Sequence, residues 1–203
     1  VGYVKGYGFE DRENKVAVTA RSLFRWASIS KTLTAITALQ LVDQKKLKLD
    51  SDVRSLIPEF PQQSYDGKPV TVTIRQLLSH HGGIVHYSNG KVVGTRRKYT
   101  KDHPFKDVVV ALDTFNRSPL VHTPGKEFSY TTHGFILLSA AVQRAGNEPF
   151  AEQVHQRIAQ PLKLTTLRPD YQWETIPHRA VGYKKIGNII IRSTNSDVSW
   201  KLG

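Results

Sequence analysis

One stretch of the sequence, residues 23–42, constrains the fold more than any other. It reads LFRWASISKTLTAITALQLV, and the pattern predicts a helix over residues 27–44. The apolar residues of this helix occupy more than one of its faces: Ile29, Leu33, Ile36, Leu39, Leu41 and Val42. A helix with this distribution is expected to be buried on most sides. The rest of the chain therefore has to supply the elements that pack around it.

The remaining pattern predicts strands near both ends of the chain and helices between them. Residues 1–20 are typical of a sheet hairpin, residues 45–175 of a mainly helical region, and residues 181–192 of a second hairpin. This order indicates an α+β protein, with an antiparallel sheet that the N-terminal segment begins and later strands complete.

Composition excludes several classes of function. The 203 residues contain no cysteine, which excludes disulfides, thiolate catalysis and cysteine-ligated zinc within them. No apolar run approaches the roughly 18 residues that a membrane span needs, and no signal peptide is visible. The chain starts at Val1 and contains no methionine, so we expect a trimmed or processed start.

The net charge of +12 raises the possibility of binding to nucleic acid. The densest cluster, Arg96-Arg97-Lys98 with Lys101, is followed at once by Asp102, and no nucleic-acid-binding motif accompanies it. We interpret this cluster as a solvated loop and expect no nucleic-acid partner. A basic binding module remains the third alternative.

Ser28 and Lys31 are the first candidates for chemistry. A spacing of three on a helix places two side chains on the same side, within reach of each other. A serine hydroxyl needs a neighbouring base to become a nucleophile. Lysine can serve, because a nearby helix N-terminus and apolar surroundings both disfavour its ammonium form.

Spacing alone leaves another interpretation open, in which Ser28 is a helix N-cap and Lys31 a surface lysine. A second S-x-x-K occurs at Ser88-Asn89-Gly90-Lys91, in a loop where spacing does not determine geometry. Two such matches in a chain of this composition are close to the number expected by chance.

Five segments resemble, in order, motifs of the serine β-lactamase and penicillin-binding protein superfamily. They are Gly6-Tyr7-Gly8 with Asp11, the segment around Ser28-Ile29-Ser30-Lys31, Leu77-Leu78-Ser79-His80-His81-Gly82-Gly83-Ile84, Pro124-Gly125-Lys126-Glu127-Phe128-Ser129-Tyr130, and Pro161-Leu162-Lys163-Leu164-Thr165. They are most similar to the class C β-lactamase, DD-peptidase and family VIII esterase branch, and within it to the mitochondrial serine β-lactamase-like subgroup with its bacterial relatives.

This resemblance implies a fold, a reaction and a set of site residues. It implies a β-lactamase/transpeptidase-like fold, with an antiparallel sheet flanked by helices and a helical subdomain, of which residues 1–203 form the N-terminal portion. It implies a serine hydrolase that forms an acyl-enzyme on amide or ester substrates. Ser28, Lys31 and Tyr130 would be catalytic, and Thr132 would bind substrate where the branch usually has asparagine. No metal or organic cofactor would be needed.

The third motif of the family, K-[ST]-G or H-x-G on a strand that faces the serine, does not occur as such in these residues. We expect that strand, with the second donor of the oxyanion hole, to follow Gly203. The missing third motif, together with threonine in place of asparagine at position 132, leaves an alternative function open. In this alternative the protein is a non-catalytic binding or structural scaffold with the same fold. The resemblance and the lack of cysteine favour an extracytoplasmic location, with a small molecule or peptide as substrate.

Overall fold

The computed structural model describes residues 2–95 and 107–193, in two compact units. The first unit contains the described residues up to Trp26 and from Asp170 onward, and the second contains those from Ala27 to Pro169. The Arg96-Arg97-Lys98 cluster and Lys101 lie outside the described residues.

The regular elements follow one another along the chain as strands β1 (Phe9–Asp11) and β2 (Val16–Ala17), helix α1 (Ser30–Asp43), strands β3 (Gln63–Tyr65) and β4 (Lys68–Val70), helices α2 (Ile74–Leu78), α3 (Thr132–Gly146) and α4 (Phe150–Val154), and strands β5 (Tyr183–Ile186) and β6 (Ile189–Arg192). Single turns of 3-10 helix precede α1 at Ala27–Ile29 and occur at Val53–Ser55 and Val110–Thr114, and a π-helical turn, His155–Ala159, continues α4.

The first unit contains two antiparallel hairpins, β1–β2 and β5–β6. The strand expected from the start of the chain is regular only over Phe9–Asp11, because Gly8 has a φ of +71°, which interrupts a β-strand. Val181 donates its backbone N–H to the carbonyl of Glu10 over 2.7 Å. Among the described residues each sheet has two strands, so the expected single sheet is present only as separate hairpins.

Helix α1 lies within the predicted range, but the prediction that it is buried on most sides is wrong. Ile36 and Leu39 are 40% and 46% exposed, whereas Lys31, Thr34, Thr37, Ala38 and Leu41 are buried. Small and hydroxylated side chains on that face allow α1 to pack closely against α3. Thr34 and Thr37 donate their hydroxyls to the carbonyls of Ser30 and Leu33 one turn earlier, which satisfies these buried polar groups.

Helix α3 is the element that is buried on all sides. Every residue from Thr132 to Val142 is buried, and the helix contacts α1, α2 and α4. It ends at Gly146, after which Asn147 adopts a left-handed φ of +55° that commonly terminates helices. The core of the second unit is therefore assembled around α3.

The region expected to be mainly helical also contains a hairpin, β3–β4. Its two strands pair in antiparallel register around Asp66-Gly67, whose φ angles are +50° and +72°. Positive φ at both central residues is typical of a type I′ turn, for which Asp-Gly is a strong sequence signal. Within the same region, the described residues 107–116 contain only the 3-10 turn Val110–Thr114 and no α-helix.

The loop after α2 depends on glycine at position 83. Helix α2, which precedes this loop, begins with a capping box in which Thr73 and Gln76 bond each other's backbone amides. Gly83 has a φ of +69°, and a Cβ built on it would lie 2.4 Å from the carbonyl oxygen of His122. This close backbone approach holds the loop against the following segment.

We expect Gly83→Ala to destabilise the fold far more than Gly67→Ala. Both glycines have positive φ, which costs an alanine about 1 kcal/mol, but a Cβ at Gly67 meets no atom within 4 Å. At Gly83 the overlap with His122 adds about 1–3 kcal/mol. Urea denaturation of the two variants measures the difference in the free energy of unfolding. Equal losses would show that the contact at Gly83 relaxes without cost.

No helix in the described part of the chain is long and apolar enough to cross a membrane.

Candidate active site

Ser28 lies in the 3-10 turn directly before α1. Ala27 starts this turn with a φ of +48°, a left-handed conformation that costs a residue with a Cβ roughly 1–2 kcal/mol. Backbone strain of this kind is concentrated at functional sites. The N-cap position of α1 is Ile29, where no side chain caps the helix. The interpretation of Ser28 as the N-cap of the helix is therefore wrong.

Lys31 is buried beside Ser28, so the interpretation as a surface lysine is wrong. The side chain is 8% exposed, and Nζ lies 3.3 Å from Ser28 Oγ and 3.4 Å from Thr132 Oγ1. Nζ also lies 5.3 Å and 5.6 Å from the ring centroids of Tyr130 and Phe135, within the range of cation–π attraction. Hydroxyls and aromatic faces thus surround the nitrogen.

The Tyr130 hydroxyl donates to Ser28 Oγ over 2.6 Å. Burial raises the pKa of the phenol, but hydrogen bonds with Ser28 and Lys31 and the charge of Lys31 lower it by more. The net result is a pKa below the ordinary value of tyrosine. A phenol with a lowered pKa gives up and takes back a proton more readily near neutral pH, as a proton relay must.

Thr132 is the first residue of α3 and is buried. The preceding residue, Thr131, is the N-cap, and its Oγ1 accepts from the backbone N–H of Gly134 over 3.1 Å. This cap fixes the start of α3, which places the Thr132 hydroxyl toward Lys31. Because α1 packs on α3, the structure brings together all four residues singled out from the sequence.

The second S-x-x-K match has no such surroundings. Ser88 and Lys91 are exposed in an irregular loop, not one helical turn apart on a helix. In this loop Asn89 accepts from the backbone N–H of His86 over 2.6 Å and donates to Ser129 Oγ over 2.9 Å. This segment supports the stretch before Tyr130 and carries no nucleophile–base pair.

Two histidines that the sequence did not single out for the site, His80 and His86, contact it directly. The ring of His80 packs on Tyr130 with centroids 4.6 Å apart, and the ring of His86 meets Tyr130 edge-on at 5.4 Å. Burial, with a smaller effect of the charge of Lys31, lowers the pKa of His80 to about 4. His80 is therefore neutral at physiological pH. The sequence signal for it was the segment Leu77-Leu78-Ser79-His80, which resembles a family motif but does not reveal the contact with Tyr130.

Metal ligation has little support in the described ranges, where no three His, Asp or Glu side chains lie close enough together to hold an ion. His80 and His86 instead accept backbone N–H groups through Nδ1, each over 3.2 Å.

Comparison with known proteins agrees with this arrangement. The model of the Beta-lactamase family matches residues 1–187. The human mitochondrial serine beta-lactamase-like protein LACTB is 28% identical over an alignment 236 residues long. This alignment covers 88% of this chain and 43% of LACTB. Among solved structures, FmtA from Staphylococcus aureus superposes with a TM-score of 0.78 at 21% identity and covers 98% of this chain and 51% of its own. A penicillin-binding protein from Bacillus halodurans gives a TM-score of 0.75 at 24% identity over 91% of this chain and 56% of its own.

The chain thus spans about half of the length of the relatives it matches. The superpositions confirm the expected β-lactamase/transpeptidase-like fold, with helices and small antiparallel sheets. Because the family model covers 187 of the 203 residues, the chain belongs to the Beta-lactamase family.

Proposed function

We propose that this protein is a serine hydrolase that forms an acyl-enzyme on Ser28 with amide or ester substrates. The observation that supports this most is the position of Ser28 Oγ, 2.6 Å from the Tyr130 hydroxyl and 3.3 Å from Lys31 Nζ. A serine with two proton-handling groups within hydrogen-bond distance meets the geometric requirement for an activated nucleophile.

In the proposed reaction, the proton of the Ser28 hydroxyl passes to Tyr130, and Oγ forms a bond to the substrate carbonyl carbon. Before this transfer the exposed Tyr130 phenol loses its proton to solvent water, and the positive charge of Lys31 stabilises the phenolate. When the tetrahedral intermediate collapses, the leaving nitrogen or oxygen takes the proton from Tyr130. Water then attacks the acyl carbon, Tyr130 accepts its proton, and Ser28 leaves with a proton returned to it. The backbone N–H of Ser28 is proposed as one donor to the oxyanion.

Thr132 bears on the substrate class. Its hydroxyl keeps the contact with Lys31, but it lacks the amide that could bind an acylamino carbonyl of a β-lactam. We therefore propose peptide or ester substrates ahead of β-lactams.

Treatment with a fluorophosphonate, followed by intact-mass measurement and peptide mapping, tests the proposal. The expected result is one adduct per chain, located on Ser28. A folded protein that gains no adduct from the fluorophosphonate or from a penicillin would instead support the non-catalytic scaffold.

Thr132→Asn is expected to speed acylation by penicillins about tenfold, because the new amide offers one hydrogen bond to the acylamino side chain. A simple acetate ester carries no acylamino group, so its rate is the matched control and should stay within about twofold of the parent rate. Acylation rates for both substrates, measured on both proteins, check this. An equal gain on the two substrates would contradict a role of residue 132 in recognising the acylamino group.

The compartment is part of the proposal as well. The lack of cysteine suits an oxidising compartment, and we propose an extracytoplasmic location, while noting that the human relative is mitochondrial.

A further inference from the structure

The segment that carries Tyr130 is joined to the loop after α2 by a series of hydrogen bonds. The backbone N–H of Ser129 donates to the carbonyl of His80 over 2.8 Å, and the Thr131 hydroxyl donates to the carbonyl of Val85 over 2.8 Å. Asn89 adds its bond to the Ser129 hydroxyl. Tyr130 therefore stands on a segment whose neighbours on both sides are attached to residues 80–89.

Two of the attachments use histidine rings as acceptors. His80 Nδ1 accepts from the backbone N–H of Thr131, and His86 Nδ1 accepts from that of Thr132, each over 3.2 Å. These amides lie at the N-terminus of α3, where the helix itself supplies no acceptor. An imidazole nitrogen that accepts a hydrogen bond carries no proton, so a neutral ring in this position carries its proton on Nε2.

The same two rings contact Tyr130. The His80 ring packs on the Tyr130 ring, and the His86 ring stands edge-on to the Tyr130 ring. The His80 ring also packs on Phe135, with the two ring centroids 4.9 Å apart. Each histidine thus contacts the phenol ring and also holds the backbone one or two residues further on. Movement of Tyr130 away from Ser28 would break contacts with both rings.

We propose that His80 and His86 are positioning residues that fix Tyr130 and Thr132 beside Ser28, and that each acts as a neutral ring protonated on Nε2. The positioning role rests on the proposed function of Ser28, whereas the protonation pattern follows from the hydrogen bonds alone. Neither ring is assigned contact with substrate or with a transferred proton.

The surroundings of His80 keep it in the required state. Burial, with smaller effects of the charges of Lys31 from α1 and of His81 and His86 from its own loop, lowers its pKa to about 4. The Tyr130 ring, from the segment before α3, also faces it. The neutral ring therefore persists at all pH values well above 4. His86 faces Tyr130 and Tyr87, with the amide of Thr132 at its Nδ1.

Long-range proton–nitrogen NMR of the histidine rings tests the protonation pattern directly. His80 and His86 are expected to show a protonated Nε2 and a bare Nδ1 at neutral pH. His133 is an internal control of the opposite kind, because its Nδ1 lies 2.9 Å from the carbonyl of Val85 and must donate to it. A protonated Nδ1 on either His80 or His86 would overturn the proposal, whatever the activity of the protein.

A pair of variants at His86 tests the positioning role. Asparagine places an oxygen close to the position of Nδ1, whereas leucine fills the space without an acceptor. His86→Leu should therefore slow fluorophosphonate labelling of Ser28 about tenfold, and His86→Asn should slow it by less than about threefold. His80 is less suitable, because its φ of +59° is tolerated by asparagine but strained for leucine.

His86→Leu should lower the maximal labelling rate at saturating probe. The probe concentration that gives the half-maximal rate should stay unchanged, because His86 is not proposed to contact the probe. Thermal unfolding of each variant shows that the compared proteins are folded. Equal labelling rates for the asparagine and leucine variants would refute the positioning role. If the parent protein is folded but unlabelled, the proposed function fails, and the NMR result still decides the protonation pattern.

Discussion

Ser28→Ala is expected to abolish fluorophosphonate labelling and to lower any hydrolytic activity by about 10⁴-fold or more, because no other oxygen takes the place of Oγ. The fold should persist, since Ser28 is exposed and does not cap α1. We expect the free energy of unfolding to change by no more than about 0.5 kcal/mol. Intact-mass measurement and urea denaturation of the same sample check both statements.

Ser88→Ala is the matched control, because Ser88 belongs to the other S-x-x-K of the chain. It should label at the rate of the parent protein, since its loop brings no base and no phenol to the hydroxyl. Full labelling of Ser28→Ala, or loss of labelling in Ser88→Ala, would place the nucleophile elsewhere and remove the basis of the proposed function.

Lys31→Met is expected to slow labelling of Ser28 by about 10²–10⁴-fold, the usual contribution of general acid–base catalysis, because Tyr130 depends on the charge of Lys31 to act as the base. Methionine keeps most of the apolar stem of the buried lysine but has no nitrogen near Ser28 and no charge to lower the pKa of Tyr130. The pKa of the Tyr130 phenol should therefore rise in this variant. Labelling rates, and titration of the phenol by ultraviolet absorbance, measure the two effects.

Lys91→Met controls for the loss of a lysine in an S-x-x-K context, and it should label like the parent because Lys91 is exposed in a loop. Packing should tolerate Lys31→Met to within about 1.5 kcal/mol. A Lys31→Met protein that is folded and labels at the parent rate would show that Tyr130 handles the protons without the charge of Lys31. The role given to Lys31 would then be wrong.

The sequence predicted the four central residues because their signals are local or come from recognisable motifs. Ser28 and Lys31 are three residues apart, and Tyr130 and Thr132 lie at the end of, or just after, the segment from Pro124 to Tyr130 that resembles a family motif. Packing of α1 on α3 then brings the two pairs together. Their catalytic and binding roles remain proposals, although their proximity is a property of the structure.

The orientation of helix α1 could not be read from its composition. Apolar residues predicted burial on most sides, but the buried face includes Thr34 and Thr37, because close contact with α3 favours small or hydroxylated side chains there. It also includes Lys31, whose Nζ contacts the Thr132 hydroxyl at the start of α3. The arrangement of His80 and His86 around Tyr130 could not be predicted from the sequence either. It depends on how a loop about 50 residues away in sequence folds back onto Tyr130. The β3–β4 hairpin, in contrast, has a local sequence signal, because Asp66-Gly67 is a dipeptide that favours a type I′ turn.

The bond between Tyr130 and Ser28 joins residues 102 positions apart in sequence. In an unfolded chain Lys31 stays near Ser28, because the two residues are close in sequence. Tyr130 approaches Ser28 only rarely, because closing so long a loop costs conformational entropy. Any reactivity of Ser28 that depends on Tyr130 therefore belongs to the folded chain alone. The fraction of molecules that acquire a label would then count correctly folded protein in a preparation, much as an active-site titration does.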